Sequence, residues 1–146
     1  MSKINQIIQG LYISSYDVAL DKNTIDELNI KTIVNCTCKD EKLDNITYLR
    51  IPINDPPLQE DIVYVNTHYQ NIVQYIDNKL MMGNVLVHCQ AGSQRSATIV
   101  AIYLMMKYNM TASNAISLIK SKRPICFFGN VSYRESLTHV QNQLFK

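Results

Sequence analysis

Apolar positions recur along the chain with two periods. Short runs rich in β-branched residues, at 4–8, 11–14, 31–36, 47–52 and 85–88, predict strands, the first two joined by a turn at Gln9-Gly10. Helical spacing governs other stretches. A weak helical segment runs to about residue 28, with Thr24 and Glu27 three apart as in a capping box. Ile62, Val65, Tyr69, Ile72, Val73, Ile76 and Leu80 fall on one face of a long helix. Residues 96–106 are apolar on nearly every face, which predicts a buried helix. Another helix begins after Thr111. The last follows Ser132 and Glu135, again spaced as a capping box, with Tyr133, Leu137, Val140 and Leu144 on its apolar face. Strands alternating with helices predict one α/β domain over residues 1–146. Its central sheet is expected to be mixed but mostly parallel, flanked by helices on both faces, with a site at the carboxyl ends of the strands.

Composition narrows the picture modestly. A chain of 146 residues with 47% hydrophobic content can bury a proper core. The 14 basic and 12 acidic side chains leave a formal charge of +2. No basic tract points to nucleic acid or a membrane surface, and the apolar helix is too short to cross a bilayer. The opening residues, Met1 to Gln6, show no secretory leader. With four cysteines, this predicts a reducing compartment: the cytoplasm, with the nucleus left open. A Cys-x-Cys pair at 36 and 38 lacks zinc-ligand spacing, so neither metal nor cofactor is expected. His68 and His139 lie within amphipathic helices and are expected at the surface.

The candidate chemistry lies between the strand at 85–88 and the buried helix. There the chain reads His88-Cys89-Gln90-Ala91-Gly92-Ser93-Gln94-Arg95-Ser96. A strand-to-helix turn of this length can direct the backbone N–H groups of residues 90–95 inward at a helix N-terminus, which favours an anion. Gly92 gives the freedom that a tight concave turn requires. A cysteine at the mouth of such a nest ionises readily, to roughly pKa 3.5–7.5 at helix N-termini or beside cations. Arg95 can hold two phosphate oxygens in a bidentate fork.

These residues resemble the signature of the cysteine-dependent protein tyrosine phosphatases, and the run through Met106 resembles the dual-specificity phosphatases most closely. The resemblance extends from Gly10 to the last helix. It implies a phosphocysteine on Cys89, phosphate binding by Arg95 and residues 90–94, assistance from Ser96 to the departing thiolate, and support from His88. Gln94 departs from the family's usual small polar residue. The family's general acid precedes the cysteine by some thirty residues on a loop after a strand, and Asp55 in Asn54-Asp55-Pro56-Pro57 matches it, with Asp61 as the alternative. The segment from Arg123 to Tyr133 resembles a family stretch whose asparagine braces the phosphate loop from behind. Asn130 takes that place, with Gly129 where proline is usual. Several relatives carry a cysteine that forms a disulfide with the nucleophile, and Cys36 and Cys38 are candidates.

The resemblance thus implies a stand-alone, metal-independent phosphatase acting on phosphotyrosine and phosphoserine/threonine of proteins, since too little chain precedes residue 10 for a docking domain. The sequence leaves little length for a deep recognition loop, which predicts a shallow cleft. Two other readings stand beside it. One is a phosphatase for inositol lipids or RNA 5′ ends, although the loop has no lysine to meet further phosphates. The other is a phosphopeptide-binding pseudophosphatase, although nucleophile and arginine are both present.

Overall fold

The computed structural model describes residues 3–146; the leader-free start expected at Met1 and Ser2 lies outside them. Eleven elements follow in order: β1 (Ile4–Ile8), β2 (Leu11–Ser14), α1 (Tyr16–Ala19), α2 (Lys22–Glu27), β3 (Ile30–Asn35), β4 (Thr47–Arg50), α3 (Gln59–Leu80), β5 (Asn84–His88), α4 (Arg95–Tyr108), α5 (Ala112–Lys122) and α6 (Arg134–Leu144). They form one sheet of five strands in the order β1-β2-β5-β3-β4. Only β1 and β2 pair antiparallel; β2–β5, β5–β3 and β3–β4 are parallel. The expected mixed, mostly parallel α/β architecture is therefore present.

The period-two alternation of the strands divides the core. Val85 and Val87 of β5, Val34 of β3, and Leu11 and Ile13 of β2 face a large core shared with α3, α4, α5 and α6. Leu86, Ile33 and Tyr12 face a smaller core closed by Ala19, Ile25 and Leu28, with Leu43 and Ile46 from the β3–β4 connection. Residues Ser96 to Met105 of α4 are all buried. This follows from the central position of the helix, packed on β2 and β5 and flanked by α3, α5 and α6. Asn109, left-handed at φ 56°, ends α4, and the Thr111 side chain caps α5 by accepting from the Asn114 N–H. No helix among the described residues is long and apolar enough to cross a membrane.

Three local expectations are corrected. The segment before residue 28 is two short helices, and α2 starts at Lys22 with Asp21 as its N-cap, so Thr24 lies inside the helix. The Thr24 hydroxyl donates to Asp21 Oδ2 at 2.8 Å instead of capping. The strand expected through residue 52 ends at Arg50. The last helix begins at Arg134, because the Ser132 N–H is taken by Gln94 Oε1 at 3.0 Å and is no longer free for a cap. His68 and His139 are partly exposed at the surface, as expected: the His68 ring is tilted against Tyr64 at 4.6 Å between ring centroids, and His139 meets the edge of Tyr69 at 6.0 Å.

Leu86 is fully buried on the smaller core, which has few residues able to collapse into a void. Leu86→Ala is expected to lower unfolding free energy by about 2–5 kcal/mol, measured by urea denaturation.

Candidate active site

β5 is the central strand of the sheet, and its carboxyl end delivers His88 and Cys89 between β2 and β3. The turn that follows leads directly into α4. What fixes the shape of this turn is the fate of its carbonyl groups. Gln90 O accepts from the Tyr16 N–H at 3.0 Å. Ala91 O accepts from Arg123 Nη2 at 3.2 Å, and Gly92 O from Arg123 Nε at 2.8 Å. Ser93 O accepts from the Phe127 N–H at 3.0 Å, and Gln94 O from the Thr98 N–H at 2.8 Å. Five consecutive carbonyls are thus held from outside the turn. In a trans peptide the N–H points opposite to the C=O, so the N–H groups of residues 91–95 turn toward the concave side. The result is a concave nest at the start of α4 whose inward N–H groups suit an anion.

Gly92 is required twice over. Its φ of +69° favours glycine, and a Cβ would lie 2.4 Å from the backbone oxygen of Ser14 and 2.9 Å from Arg123 Nη2. The turn is therefore pressed against the end of β2 with no room for a side chain.

Cys89 lies within this nest, 3% exposed. Its Sγ is 3.2 Å from Ser96 Oγ. Burial alone raises the thiol pKa, but hydrogen bonds from the Ser96 hydroxyl and N–H and from the Ser93 N–H, with the charge of Arg95, outweigh it. The net effect brings Cys89 below its ordinary value. Arg95 donates from Nη1 to Ile53 O at 3.0 Å, while its buried Nε has no hydrogen-bond partner among the described residues. A buried donor so placed suits an anionic oxygen in the nest. His88 is buried beside it, with Nδ1 3.3 Å from Cys89 O. Burial, with a smaller contribution from Arg95 and against the Cys89 carbonyl, brings its pKa down to about 4, so the ring is neutral at pH 7.

The loop after β4 forms the opposite wall, and three side chains tie it down. Arg95 binds Ile53 O, Tyr133 Oη donates to Asn54 O at 2.5 Å, and Asn54 Nδ2 donates to Asp61 Oδ2 at 3.0 Å. Asp55 is exposed on this loop. Asp61 is buried and accepts from the Leu58 N–H at 2.9 Å, closing the first turn of α3. Of the two carboxylates, Asp61 is committed to structure and Asp55 is free of it.

The brace behind the turn differs in detail from the expectation. Gln94, buried at the start of α4, donates from Nε2 to Asn130 O at 2.8 Å and accepts the Ser132 N–H on Oε1. Asn130 thus meets the loop chiefly through its backbone, and the residue that departs from the family pattern supplies the link. Arg123 is the group that the sequence analysis left without a role. Buried and bonded also to Asn5 Oδ1 at 2.7 Å, it holds two loop carbonyls. The signal for it was its place at the head of the family-like stretch from Arg123 to Tyr133. Cys126 lies beside it, its Sγ 3.5 Å from Gly92 O. Cys36 is buried and its N–H donates to His88 O at 2.8 Å, next to Cys89 across β3 and β5. Burial and the nearby Cys89 charge hold its thiol well above the ordinary value. Cys38 is exposed and lies near Ile53 O and Asn54 Oδ1.

Comparison with known proteins agrees with this geometry. The model of the dual specificity phosphatase catalytic domain matches residues 11–143. Dual specificity protein phosphatase 1 of Arabidopsis thaliana is 34% identical over an alignment of 147 positions, gaps included, that covers 95% of this chain and 72% of the relative. Dual specificity protein phosphatase 18 of Rattus norvegicus is 31% identical over an alignment of 148 positions, gaps included, that covers 99% of this chain and 70% of the relative. The crystal structure of DUSP15 aligns with a TM-score of 0.80 at 28% identity, covering 97% of this chain and 94% of that one. Human DUSP28 shares the fold, with a TM-score of 0.87 at 19% identity over 100% of this chain and 97% of that one.

The buried His88 gives a testable pH dependence. Its folded pKa is depressed from 6.5 to about 4, so between these values the unfolded chain binds a proton that the folded one does not. Stability is therefore complete above pH 6.5 and falls as pH drops toward 4, by on the order of 3 kcal/mol from this group. Urea denaturation across that window is expected to show the loss in the wild type and a shallower one in His88→Asn. Identical slopes would contradict it.

Proposed function

The chain belongs to the dual-specificity phosphatase catalytic-domain family, and from that premise we propose that residues 1–146 form one catalytic domain. It would hydrolyse phosphotyrosine and phosphoserine/threonine in proteins through a phosphocysteine, without a metal. The observation that carries this reading is the nest itself: Cys89 has its pKa lowered by hydrogen bonds from Ser96 and Ser93 and by the charge of Arg95, whose buried Nε has no partner among the described residues.

Two steps follow. The Cys89 thiolate attacks phosphorus while residues 90–94 and Arg95 hold the non-bridging oxygens. The bond to the leaving oxygen breaks as Asp55 gives it a proton. Water then attacks the phosphocysteine and yields its proton to Asp55, and the P–S bond breaks to return the thiolate. The Ser96 hydroxyl, 3.2 Å from Sγ, stabilises that departing charge. His88 supports the turn as a neutral ring and Asn130 braces it through Gln94. The exposed position of Asp55 suits contact with a protein-bound leaving group at the rim.

Of the two candidate resolving thiols, the placement of Cys36 favours it over Cys38. A peroxide that oxidises the Cys89 thiolate to a sulfenic acid would release water as the Cys36 thiol closes a disulfide.

The acid assignment has a kinetic test. Cys89→Ser is expected to abolish turnover of an aryl phosphate assayed with a chelator present, while keeping phosphopeptide binding. Asp55→Asn is expected to slow phosphoserine and phosphotyrosine substrates by about 10²- to 10⁴-fold, and substrates with good leaving groups far less. Equal loss on both classes, or activity that needs an added divalent ion, would contradict the mechanism.

A further inference from the structure

The phosphate loop contains no lysine, yet one reaches it from elsewhere. Lys39 stands on the connection between β3 and β4, and its Nζ donates to Gln90 Oε1, the side chain next to the nucleophile, at 3.1 Å. The same ammonium lies over the Tyr16 ring, 4.5 Å from its centroid. Tyr16 is itself anchored to the loop: it is buried, its N–H holds Gln90 O at 3.0 Å, and its hydroxyl bonds to Glu41. The lysine side chain, otherwise among the most mobile, is therefore held at the rim before any ligand arrives.

Its charge also remains available. Gln90 is a neutral acceptor, and an aromatic face leaves the ammonium unneutralised. The carboxylates of the same segment are engaged elsewhere: Asp40 pairs with Arg50 at 3.5 Å and Lys42 at 3.9 Å, and Glu41 takes the Tyr16 hydroxyl. Among the described residues no salt bridge joins Lys39 to a carboxylate. An oriented, unpaired cation one residue from the nucleophile is suited to an anion that enters with the substrate but is not the scissile group.

We propose that Lys39 is a specificity-determining residue that recognises a second anionic group on the substrate, a carboxylate or a second phosphate beside the phosphorylated residue of a peptide. The proposal rests on the phosphatase reading above. An incoming anion replaces the Gln90 amide on Nζ while the Tyr16 ring keeps the ammonium in place, so a neutral contact gives way to a charged one.

Hydrolysis of three phosphotyrosyl peptides, alike except for Gln, Glu or phosphothreonine next to the phosphotyrosine, tests it. The wild type is expected to favour the Glu and phosphothreonine peptides over the Gln peptide. In Lys39→Met that preference in kcat/KM should fall roughly fivefold, the scale of an exposed charge pair, with the loss in KM. Lys39→Arg should restore it. Loss of activity equal on all three peptides, or a preference untouched by Lys39→Met, would overturn the assignment while leaving the phosphatase reading intact. An effect of Lys39→Met on a soluble inositol phosphate with none on the peptides would also overturn it. No hydrolysis of any peptide by the wild type would overturn the phosphatase reading itself.

Discussion

A peptide plane offers its N–H and C=O on opposite edges, so holding one edge aims the other. The site depends on this constraint. The carbonyls of Gln90 to Gln94 are held in succession by Tyr16, Arg123, Phe127 and Thr98, each bond worth on the order of 1 kcal/mol net and more from the charged guanidinium. Their combined effect is geometric. Amides converge on Cys89 and favour a thiolate, against burial that would otherwise keep the thiol protonated.

Much of the remaining architecture serves this arrangement. β1 and the end of α5 place the buried Arg123 between Asn5 and the turn, where an apolar residue would leave Ala91 O unpaired and Gly92 O with only the weaker Cys126 thiol. The end of β2 presses on Gly92 so closely that no side chain fits. The segment from Ile125 to Ser132 fills the back of the loop through Phe127, Cys126 and the pair of bonds from Gln94. The acid loop is fastened to the same unit by Arg95 and Tyr133. Cys89, Arg95 and the loop that carries Asp55 are therefore tied together, which suits the proposed reaction, whose catalysis is mostly positioning and charge stabilisation.

The hydrophobic periods made the sheet, the long helix and the buried α4 legible, because burial on one face imposes a repeat that sequence records directly. The loop was legible because its chemistry needs cysteine, glycine and arginine within seven residues. The clamp behind it was not. Arg123 lies 31 residues from Gly92, and a side chain bonding a distant carbonyl leaves no period. Two helix starts were also misplaced, for different reasons: Asp21, three residues before Thr24, takes the cap position and binds its hydroxyl locally, whereas the Ser132 N–H is taken by Gln94, 38 residues away. Gln94, a departure when read in the sequence alone, becomes intelligible once its amide is seen to bridge the loop to Asn130 and Ser132.

The clamped backbone, with Ser96 and Arg95, favours a thiolate on a buried cysteine. The pH dependence of iodoacetamide alkylation, resolved to Cys89 by mass spectrometry, measures it most directly. A midpoint below that of an ordinary cysteine, about 8.5, is expected, with a shift back toward it when Arg123→Met removes the guanidinium bonds to Ala91 O and Gly92 O. A wild-type midpoint at or above the ordinary value would contradict it.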